Sequence, residues 1–267
     1  MTWEEAVRQL RDTPGQEALV RWCFYDDPLV EAARRFRDST EWRATRAWLP
    51  PPPGRALDLG AGRGIASYAL AADGYATTAL EPDPSALVGA GAIRALSAEA
   101  DVPITVVEEW GESLPFSDGC FDIVLCRQVL HHARDLPQLC REIGRVLKPG
   151  GVMIATREHV ISRREDLPAF LASHPLHHLY GGENAFLLAE YEGAIREAGL
   201  RLKASLNPLQ SDINLYPTTR EDHRARLARQ LFLPRALVSD RLMAFIGDRM
   251  KAPGRLYSFI AVKPAAG

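Results

Sequence analysis

A glycine-rich turn between a short apolar run and a helix-like stretch constrains the fold of this chain more than any other feature. The turn covers residues 58–64 and has the sequence D-L-G-A-G-R-G. Glycine lets the backbone turn tightly, and it lets a ligand approach without a Cβ in the way. The helix that follows offers unpaired N–H groups and the positive end of its dipole to an anionic group. Taken alone, the pattern also fits a tight turn with no ligand.

Strand-like and helix-like segments alternate around this turn, from about residue 55 to residue 157. Short apolar runs predict strands at 56–59, 75–80, 104–107, 121–126 and 152–156. Three helices are predicted. The first covers 65–72, the second begins after Asp83 as its cap with Pro84 at the first helical position, and the third begins after Asp135 as its cap. Such alternation predicts an α/β fold with a Rossmann-like, mostly parallel sheet and helices on both faces.

The two ends of the chain have different patterns. Helical spacing of apolar residues extends over the first 50 residues and stops at four consecutive prolines, residues 50–53. Residues 158–186 are rich in histidine, glycine and proline, and a helix (187–198), a strand (200–206), a helix (235–250) and a strand (256–262) follow. We therefore predict a helical N-terminal extension at 1–53, a cofactor-binding core at 54–157, and lid or substrate elements with closing strands of the same domain at 158–267.

Composition excludes several classes of function. The formal net charge of the 267 residues is -2, so we expect no nucleic-acid binding. No stretch is apolar enough for a membrane span, and the acidic N-terminus does not resemble a signal peptide. The four cysteines form no C-x-x-C pair, and no standard metal-ligand spacing is present. These features favour a cytoplasmic protein with no metal, although histidines of the cluster at 174–178 together with Glu158 or Glu183 could supply metal ligands.

Four motifs in order carry a family resemblance. The turn is G-x-G-x-G rather than the dinucleotide-binding G-x-G-x-x-G, and Glu81 follows it by about 20 residues. Residues 112–124 read E-S-L-P-F-S-D-G-C-F-D-I-V, and residues 147–151 read L-K-P-G-G. Over residues 54–157 the chain resembles class I S-adenosylmethionine-dependent methyltransferases of the kind called type 11.

The resemblance implies S-adenosylmethionine as cofactor and S-adenosylhomocysteine as product. It implies that Asp58 organises the loop or the ammonium group, that Glu81 binds ribose, and that Pro82 or Asp83 borders adenine. The methionine part would lie against Gly60, Ala61 and Gly62, with Arg127 and Gln128 beside it.

The chain departs from the family before E-x-L-P-F. Family members often have Asp at the position of Trp110, which Gly111 follows. Trp110 either stacks on adenine or fills the core. The polar contact to adenine then falls to Glu112 or to backbone groups.

Methyl transfer from a sulfonium needs mainly in-line positioning, with a base for hydroxyl or protonated amine acceptors. The candidates are His132, His159, His177 and Tyr180, and we predict that residues 158–183 form a lid with a hinge at Gly181-Gly182. His132, or its neighbour His131, can instead cap or pack at a helix start. His159 can be a loop residue, and some histidines of the cluster at 174–178 can simply face solvent.

The sequence therefore favours a methyltransferase acting on a small-molecule substrate through an O, N or C nucleophile. The alternatives are a related enzyme that makes a non-methyl transfer from the same pocket and a non-catalytic cofactor-binding protein. Extra cationic side chains near the methyl group would favour the non-methyl transfer, and Arg127 is the one candidate for such a side chain. A nicotinamide-dependent oxidoreductase is disfavoured by the early third glycine. The helical extension is a candidate surface for a homodimer.

Overall fold

A central sheet organises the chain, which a computed structural model describes over residues 1–265. The strand order is β3-β2-β1-β4-β5-β8-β7, with β6 paired beside β5. β1 to β6 pair in parallel, and β8 runs antiparallel to β5 and β7. The strands are β1 Arg55–Leu59, β2 Ala76–Leu80, β3 Ile104–Val107, β4 Phe121–Arg127, β5 Leu147–Ile161, β6 Phe186–Leu187, β7 Arg201–Leu206 and β8 Arg255–Val262. The predicted mostly parallel Rossmann-like sheet is confirmed.

Helices cover both faces of the sheet. They are α1 Trp3–Asp12, α2 Glu17–Trp22, α3 Leu29–Arg37, α4 Thr40–Arg46, α5 Ile65–Ala72, α6 Ala90–Ala100, α7 Leu136–Val146, α8 Leu167–Ser173, α9 His177–Tyr180, α10 Leu188–Glu197, α11 Arg220–Gln230 and α12 Asp240–Arg249. One buried cluster joins α3, α4 and α5 to the sheet, and another joins α7 and α10 to its other side. None of the helices within residues 1–265 is both long and apolar enough to span a membrane.

Local sequence explains where several helices begin. The Thr2 side chain accepts a hydrogen bond from the Glu5 N–H, and the Glu5 carboxylate accepts one from the Thr2 N–H, which forms a capping box for α1. Asp135 accepts a hydrogen bond from the Gln138 N–H at 2.9 Å and caps α7 as predicted.

The predicted helix after Asp83 is wrong at its start, because α6 begins only at Ala90. The Asp83 carboxylate accepts a hydrogen bond from the Ser85 N–H at 2.8 Å, which favours a local turn over a helix. The Asp83 carbonyl oxygen then accepts a hydrogen bond from the Ala90 N–H at 2.7 Å. Residues between them form a turn at the edge of the cavity described below.

The C-terminal third also differs from the prediction. β5 does not stop at residue 156 but continues to Ile161, so His159 lies in a strand and not in a loop. The rest of the segment expected to be irregular contains α8 and α9. The helix predicted at 235–250 is a short 3₁₀ turn, Arg235–Leu237, followed by α12, because Ser239 caps a new helix.

Candidate active site

The glycine turn after β1 is held against the end of β2. The N–H groups of Gly60 and Ala61 both donate to the Leu80 carbonyl, at 2.8 and 3.1 Å. Gly60 has φ +66°, and a Cβ there would come within 2.7 Å of a Val129 methyl group. Glycine is therefore required at this position for both its conformation and the space around it.

The Glu81 carboxylate is oriented by the backbone. It accepts hydrogen bonds from the Gly62 N–H at 2.7 Å and from the Asp83 N–H at 3.0 Å, one on each oxygen. Burial raises the pKa of Glu81, and the two backbone hydrogen bonds act against that rise. The remaining lone pairs of this carboxylate are free to accept hydroxyl groups from a ligand.

Asp58 is buried beneath the same turn. The Ser67 hydroxyl donates to its carboxylate at 2.5 Å. Burial raises the pKa of Asp58 to about 7, and the neighbouring Glu81 charge adds to the rise, whereas the Ser67 hydrogen bond opposes it. A cation placed near this carboxyl group would favour its ionised form.

A cavity of about 480 Å³ opens over this end of the sheet. Its volume lies within the roughly 300–1,000 Å³ typical of small-molecule sites. Every residue that the resemblance assigned to the cofactor lines it: Asp58, Gly60, Ala61, Gly62, Glu81, Pro82, Trp110, Gly111, Glu112, Arg127 and Gln128. The glycine turn, the end of β2 and the end of β4 meet here because β1 lies between β2 and β4 in the sheet.

Trp110 lies at the rim of the cavity and not in the core. Its side chain is 56% exposed, and the Arg134 guanidinium lies 4.7 Å from its ring centroid. The core-filling interpretation of Trp110 is therefore wrong. Gly111 lets the backbone at the rim pack closely against α7, since a Cβ at this position would lie 2.7 Å from a Leu139 methyl group. The Glu112 carboxylate accepts a hydrogen bond from the Arg134 N–H at 3.0 Å.

Arg127 faces an acid of the N-terminal extension. Its guanidinium makes two hydrogen bonds to the buried Glu41 carboxylate, at 2.7 and 3.1 Å, and only 14% of the Arg127 side chain is exposed. It also lies about 5.3 Å from the Phe36 ring centroid. Gln128, the next residue, has φ +59°, an uncommon conformation for a non-glycine residue and one often found at functional sites.

Histidines and acids gather at the far end of the cavity. His132, His159 and Tyr180 line it, as do His131, His174 and Glu183, whereas His177 does not. The prediction that His177 faces the reaction is not supported by its position in α9. His132 Nδ1 hydrogen-bonds the Gly182 carbonyl at 2.8 Å, and the Tyr180 hydroxyl donates to Glu183 at 2.9 Å.

His131 is coupled electrostatically to two acids of this group. Its Nδ1 lies 2.6 Å from a Glu158 carboxylate oxygen. Burial opposes the charged form, but Glu158 and Glu183 together raise the pKa of His131 to about 9. Burial lowers the pKa of His159 to about 3, and the charge on His131 lowers it further. His159 is therefore a neutral imidazole in this environment.

A bulge in β5 brings Glu158 and His159 to the site. The register between β5 and β8 shifts between Ala155 and Glu158, and Arg157 has φ +61°. Bulges of this kind re-aim the side chains that follow them and are common beside active sites. No residue type in this segment is typical of a bulge, so the bulge could not be predicted from the sequence.

The N-terminal extension forms the roof of the cavity, which the sequence patterns also did not reveal. Its lining side chains are mostly apolar: Trp3, Leu19, Cys23, Phe24 and Tyr25. The Trp3 ring packs edge-on against Tyr180 of α9, with centroids 4.5 Å apart.

Arg63, in the glycine turn, connects the N-terminal extension to the sheet through hydrogen bonds. Its guanidinium donates to the Phe24 and Asp26 carbonyls, at 2.9 and 3.0 Å, and to the Asp27 carboxylate at 2.5 Å.

Comparison with known proteins agrees with this geometry. A family model described as a methyltransferase domain matches residues 57–155, the part of the chain that contains the glycine turn, Glu81 and β4. This part of the chain is a methyltransferase domain, similar to those of class I S-adenosylmethionine-dependent methyltransferases. A curated relative of these methyltransferases, "Ubiquinone biosynthesis O-methyltransferase" from Methylobacterium nodulans, is 33% identical over 162 residues. That match covers 59% of this chain and 64% of the relative, so the chain spans less than two thirds of the relative's length.

Solved structures of other proteins share the fold at low identity. Geranyl diphosphate C-methyltransferase from Streptomyces coelicolor A3(2), solved with Mg²⁺, geranyl diphosphate and S-adenosyl-L-homocysteine, has a TM-score of 0.61 at 15% identity. The alignment covers 90% of this chain and 85% of that one. The [4+2]-cyclase SpnF has a TM-score of 0.59 at 20% identity, covering 88% of this chain and 82% of that one. At such identities the similarity concerns the fold alone.

Proposed function

We propose that this protein transfers the methyl group of S-adenosylmethionine to a small-molecule acceptor by in-line displacement. One observation carries the proposal. A single continuous cavity has the glycine turn and Glu81 at one end and His132, His159 and Tyr180 at the other. Such an arrangement provides adjacent binding sites for a cofactor and an acceptor in one cavity.

The residues at the first end fit the cofactor. Glu81, held by two backbone N–H groups, would accept the ribose hydroxyls with its free lone pairs. The methionine part would lie along the glycine turn, where Gly60, Ala61 and Gly62 line the cavity. Asp58 would interact with the ammonium group, and the exposed Trp110 ring would stack on adenine.

The chain's contribution to the reaction is mainly positioning. The bound cofactor supplies an electrophilic methyl group on a sulfonium. Holding the nucleophile in line with that group can account for several kcal/mol of the barrier, roughly 7–11 in the best cases. The apolar roof, with Trp3 and Tyr25, favours an acceptor with an apolar body, and the polar end would hold its nucleophilic group.

The alternative of a non-methyl transfer has less support. It would need a free cation near the methyl group, and Arg127, the candidate, is already paired with Glu41. The fold does not decide the matter, because a protein described as a [4+2]-cyclase shares it.

In this proposal the chain has three working parts. Residues 1–53 roof the cavity, residues 54–157 bind the cofactor, and residues 158–265 contribute the lid and part of the acceptor side; the last two residues of the predicted segment 158–267 lie outside the described residues. The lid would begin after β5 ends at Ile161, because residues 158–161 are part of the sheet.

The test has two steps. Calorimetry should show binding of S-adenosylhomocysteine and none of NAD. A panel of acceptors, beginning with hydroxylated aromatic compounds because a relative is named an O-methyltransferase, should then yield S-adenosylhomocysteine on turnover. Binding of NAD without S-adenosylhomocysteine would overturn the proposal.

A further inference from the structure

Four histidines and two glutamates from separate segments converge at the acceptor end of the cavity. They come from the turn after β4, the end of β5, the end of α8 and the loop before β6, and they are His131, His132, His159, His174, Glu158 and Glu183. Such a concentration of imidazole and carboxylate groups inside a protein is costly without partners.

Three of these residues have the geometry of a ligand set. His131, His159 and Glu183 are all buried, and each offers one ligand atom within 4.8 Å of the others. His131 Nε2 and Glu183 Oε2 are 3.6 Å apart. Ligand atoms about 2.1 Å from a tetrahedral zinc ion lie about 3.4 Å from each other, so no pair has to close by more than about 1.4 Å.

The outer partners of both histidines orient them for a metal. His159 Nδ1 lies 2.9 Å from the Gly254 carbonyl, which can only accept, so Nδ1 carries the hydrogen and Nε2 keeps a lone pair. Glu158 occupies Nδ1 of His131 in the same way and is itself held by the N–H groups of Val129 and His131, each at 3.1 Å. Carboxylates and carbonyls on the second ring nitrogen are the usual outer shell of metal-bound histidines.

Glu183 has an unsatisfied oxygen at this point. Its Oε1 accepts a hydrogen bond from Tyr180, but its Oε2 is buried and has no hydrogen-bond partner among residues 1–265. The His174 Nδ1, 3.8 Å from Glu183 Oε1, is also buried and without a hydrogen bond in that range. Two orphaned buried groups in one cluster are uncommon in a native protein, and a cation at this position would satisfy the carboxylate.

We propose that His131, His159 and Glu183 bind a divalent transition-metal ion of the zinc type. The sequence predicted no metal because the spacing matches no standard site, and it left open a site made of clustered histidines with Glu158 or Glu183. The set proposed here keeps Glu183 but takes its histidines from the turn after β4 and from β5. Three protein ligands leave at least one coordination position open, and the cavity that these residues line gives an acceptor access to it.

A role for the metal in catalysis rests on the proposed methyl transfer. An acceptor hydroxyl bound at the open position would ionise more readily and release its proton to solvent. The oxygen would then form a bond to the methyl carbon as the carbon–sulfur bond breaks, and that electron pair would remain on sulfur.

The experiment measures metal binding directly. The full chain is depleted of metal with a chelator and titrated with Zn²⁺ by calorimetry, and with Co²⁺ by visible absorption. We expect one ion per chain, and affinity at least 100-fold weaker in His159→Ala and in Glu183→Gln. Glu158→Gln, which changes an outer partner, should weaken it roughly 10- to 100-fold. His223→Ala is the matched control, because His223 lies in α11 and hydrogen-bonds Thr218 away from the cluster.

S-adenosylhomocysteine affinity, measured on the same samples, shows that each variant is folded. Absence of a stoichiometric Zn²⁺ or Co²⁺ site in the wild type would overturn the inference. Equal metal affinity in the wild type, His159→Ala and Glu183→Gln would overturn it as well. If the metal site is absent while S-adenosylhomocysteine still binds, this inference alone fails. If the metal binds and S-adenosylhomocysteine does not, the proposed function alone fails.

Discussion

At the scale of single residues, Glu81 is the side chain on which cofactor affinity should depend most. Glu81→Ala removes the acceptor proposed for the ribose hydroxyls. Hydrogen bonds to a charged group are worth about 1.5–3 kcal/mol each, so allowing for non-additivity we expect a loss of about 2–4 kcal/mol. That is roughly a 30- to 700-fold weaker S-adenosylhomocysteine affinity by calorimetry.

Glu109→Ala is the matched control, because Glu109 is an exposed acid outside the cavity and its removal should leave affinity unchanged. Unchanged affinity in Glu81→Ala itself would show that the ribose binds elsewhere.

Asp58 should make cofactor binding depend on pH. Its pKa in the free protein is raised to about 7 by burial, so the carboxyl group is largely protonated at pH 6 and ionised at pH 8. The ammonium group of the ligand favours the ionised form, so binding releases a proton and affinity rises with pH. Between pH 6 and pH 8 we expect a gain of up to roughly tenfold, by linkage.

Calorimetry at the two pH values, in buffers of different ionisation enthalpy, would report both the affinity and the proton release. Asp58→Asn should give the same affinity at both pH values. A wild-type affinity that falls as pH rises would contradict the placement of the ammonium group near Asp58.

At the scale of elements, the contact between α1 and α9 should control access of the acceptor. Trp3→Ala removes the edge-on packing against Tyr180 and leaves the glycine turn untouched. Aromatic pairs contribute about 0.5–1.5 kcal/mol, so we expect the acceptor KM to rise by up to roughly tenfold. Steady-state kinetics with the acceptor, beside calorimetry with S-adenosylhomocysteine, separates the two effects.

Trp22→Ala, at an exposed position of the same extension, should change neither quantity. If Trp3→Ala weakens S-adenosylhomocysteine binding as much as it raises the acceptor KM, the roof serves the cofactor and not the acceptor.

An element could be predicted from the sequence when the residues that define it lie close together along the chain. The strand at 104–107 was predicted with its observed bounds, because an apolar run between turn signals defines it. The cofactor end could be predicted for the same reason, since the turn and Glu81 lie close together in the sequence. The delayed start of α6 could not be predicted, because a hydrogen bond from the Ser85 N–H to the Asp83 carboxylate outweighs the helical pattern.

The acceptor end could be predicted only in part, since His132, His159 and Tyr180 were candidates from the sequence and line the cavity. The approach of His131, His159 and Glu183 to within 4.8 Å of one another could not be predicted, because it depends on the neighbouring ends of β4 and β5 and on the loop before β6. The bulge at Arg157, which sets the direction of two of the side chains in this cluster, has no signature in residue type.

At the scale of the whole molecule, charge argues against nucleic acid as a partner. The net charge is -2, and surface arginines such as Arg34 and Arg224 are paired with acids. We expect no retained band shift with duplex or single-stranded DNA or RNA at physiological salt, since such binding needs concentrated positive charge. A shift that weakens steeply as salt is raised would contradict this.

Pairing of two copies through the N-terminal extension stays a prediction, and analytical ultracentrifugation would test it.

The three hydrogen-bonded contacts of Arg63 have a consequence for kinetics. Because one guanidinium ties the cofactor turn to the roof at Phe24, Asp26 and Asp27, the two ends of the cavity share a wall. A cofactor bound against the glycine turn therefore forms part of the wall of the site that the acceptor then enters. Initial-rate patterns should be those of an ordered sequential reaction, with S-adenosylhomocysteine released last and competing with S-adenosylmethionine but not with the acceptor.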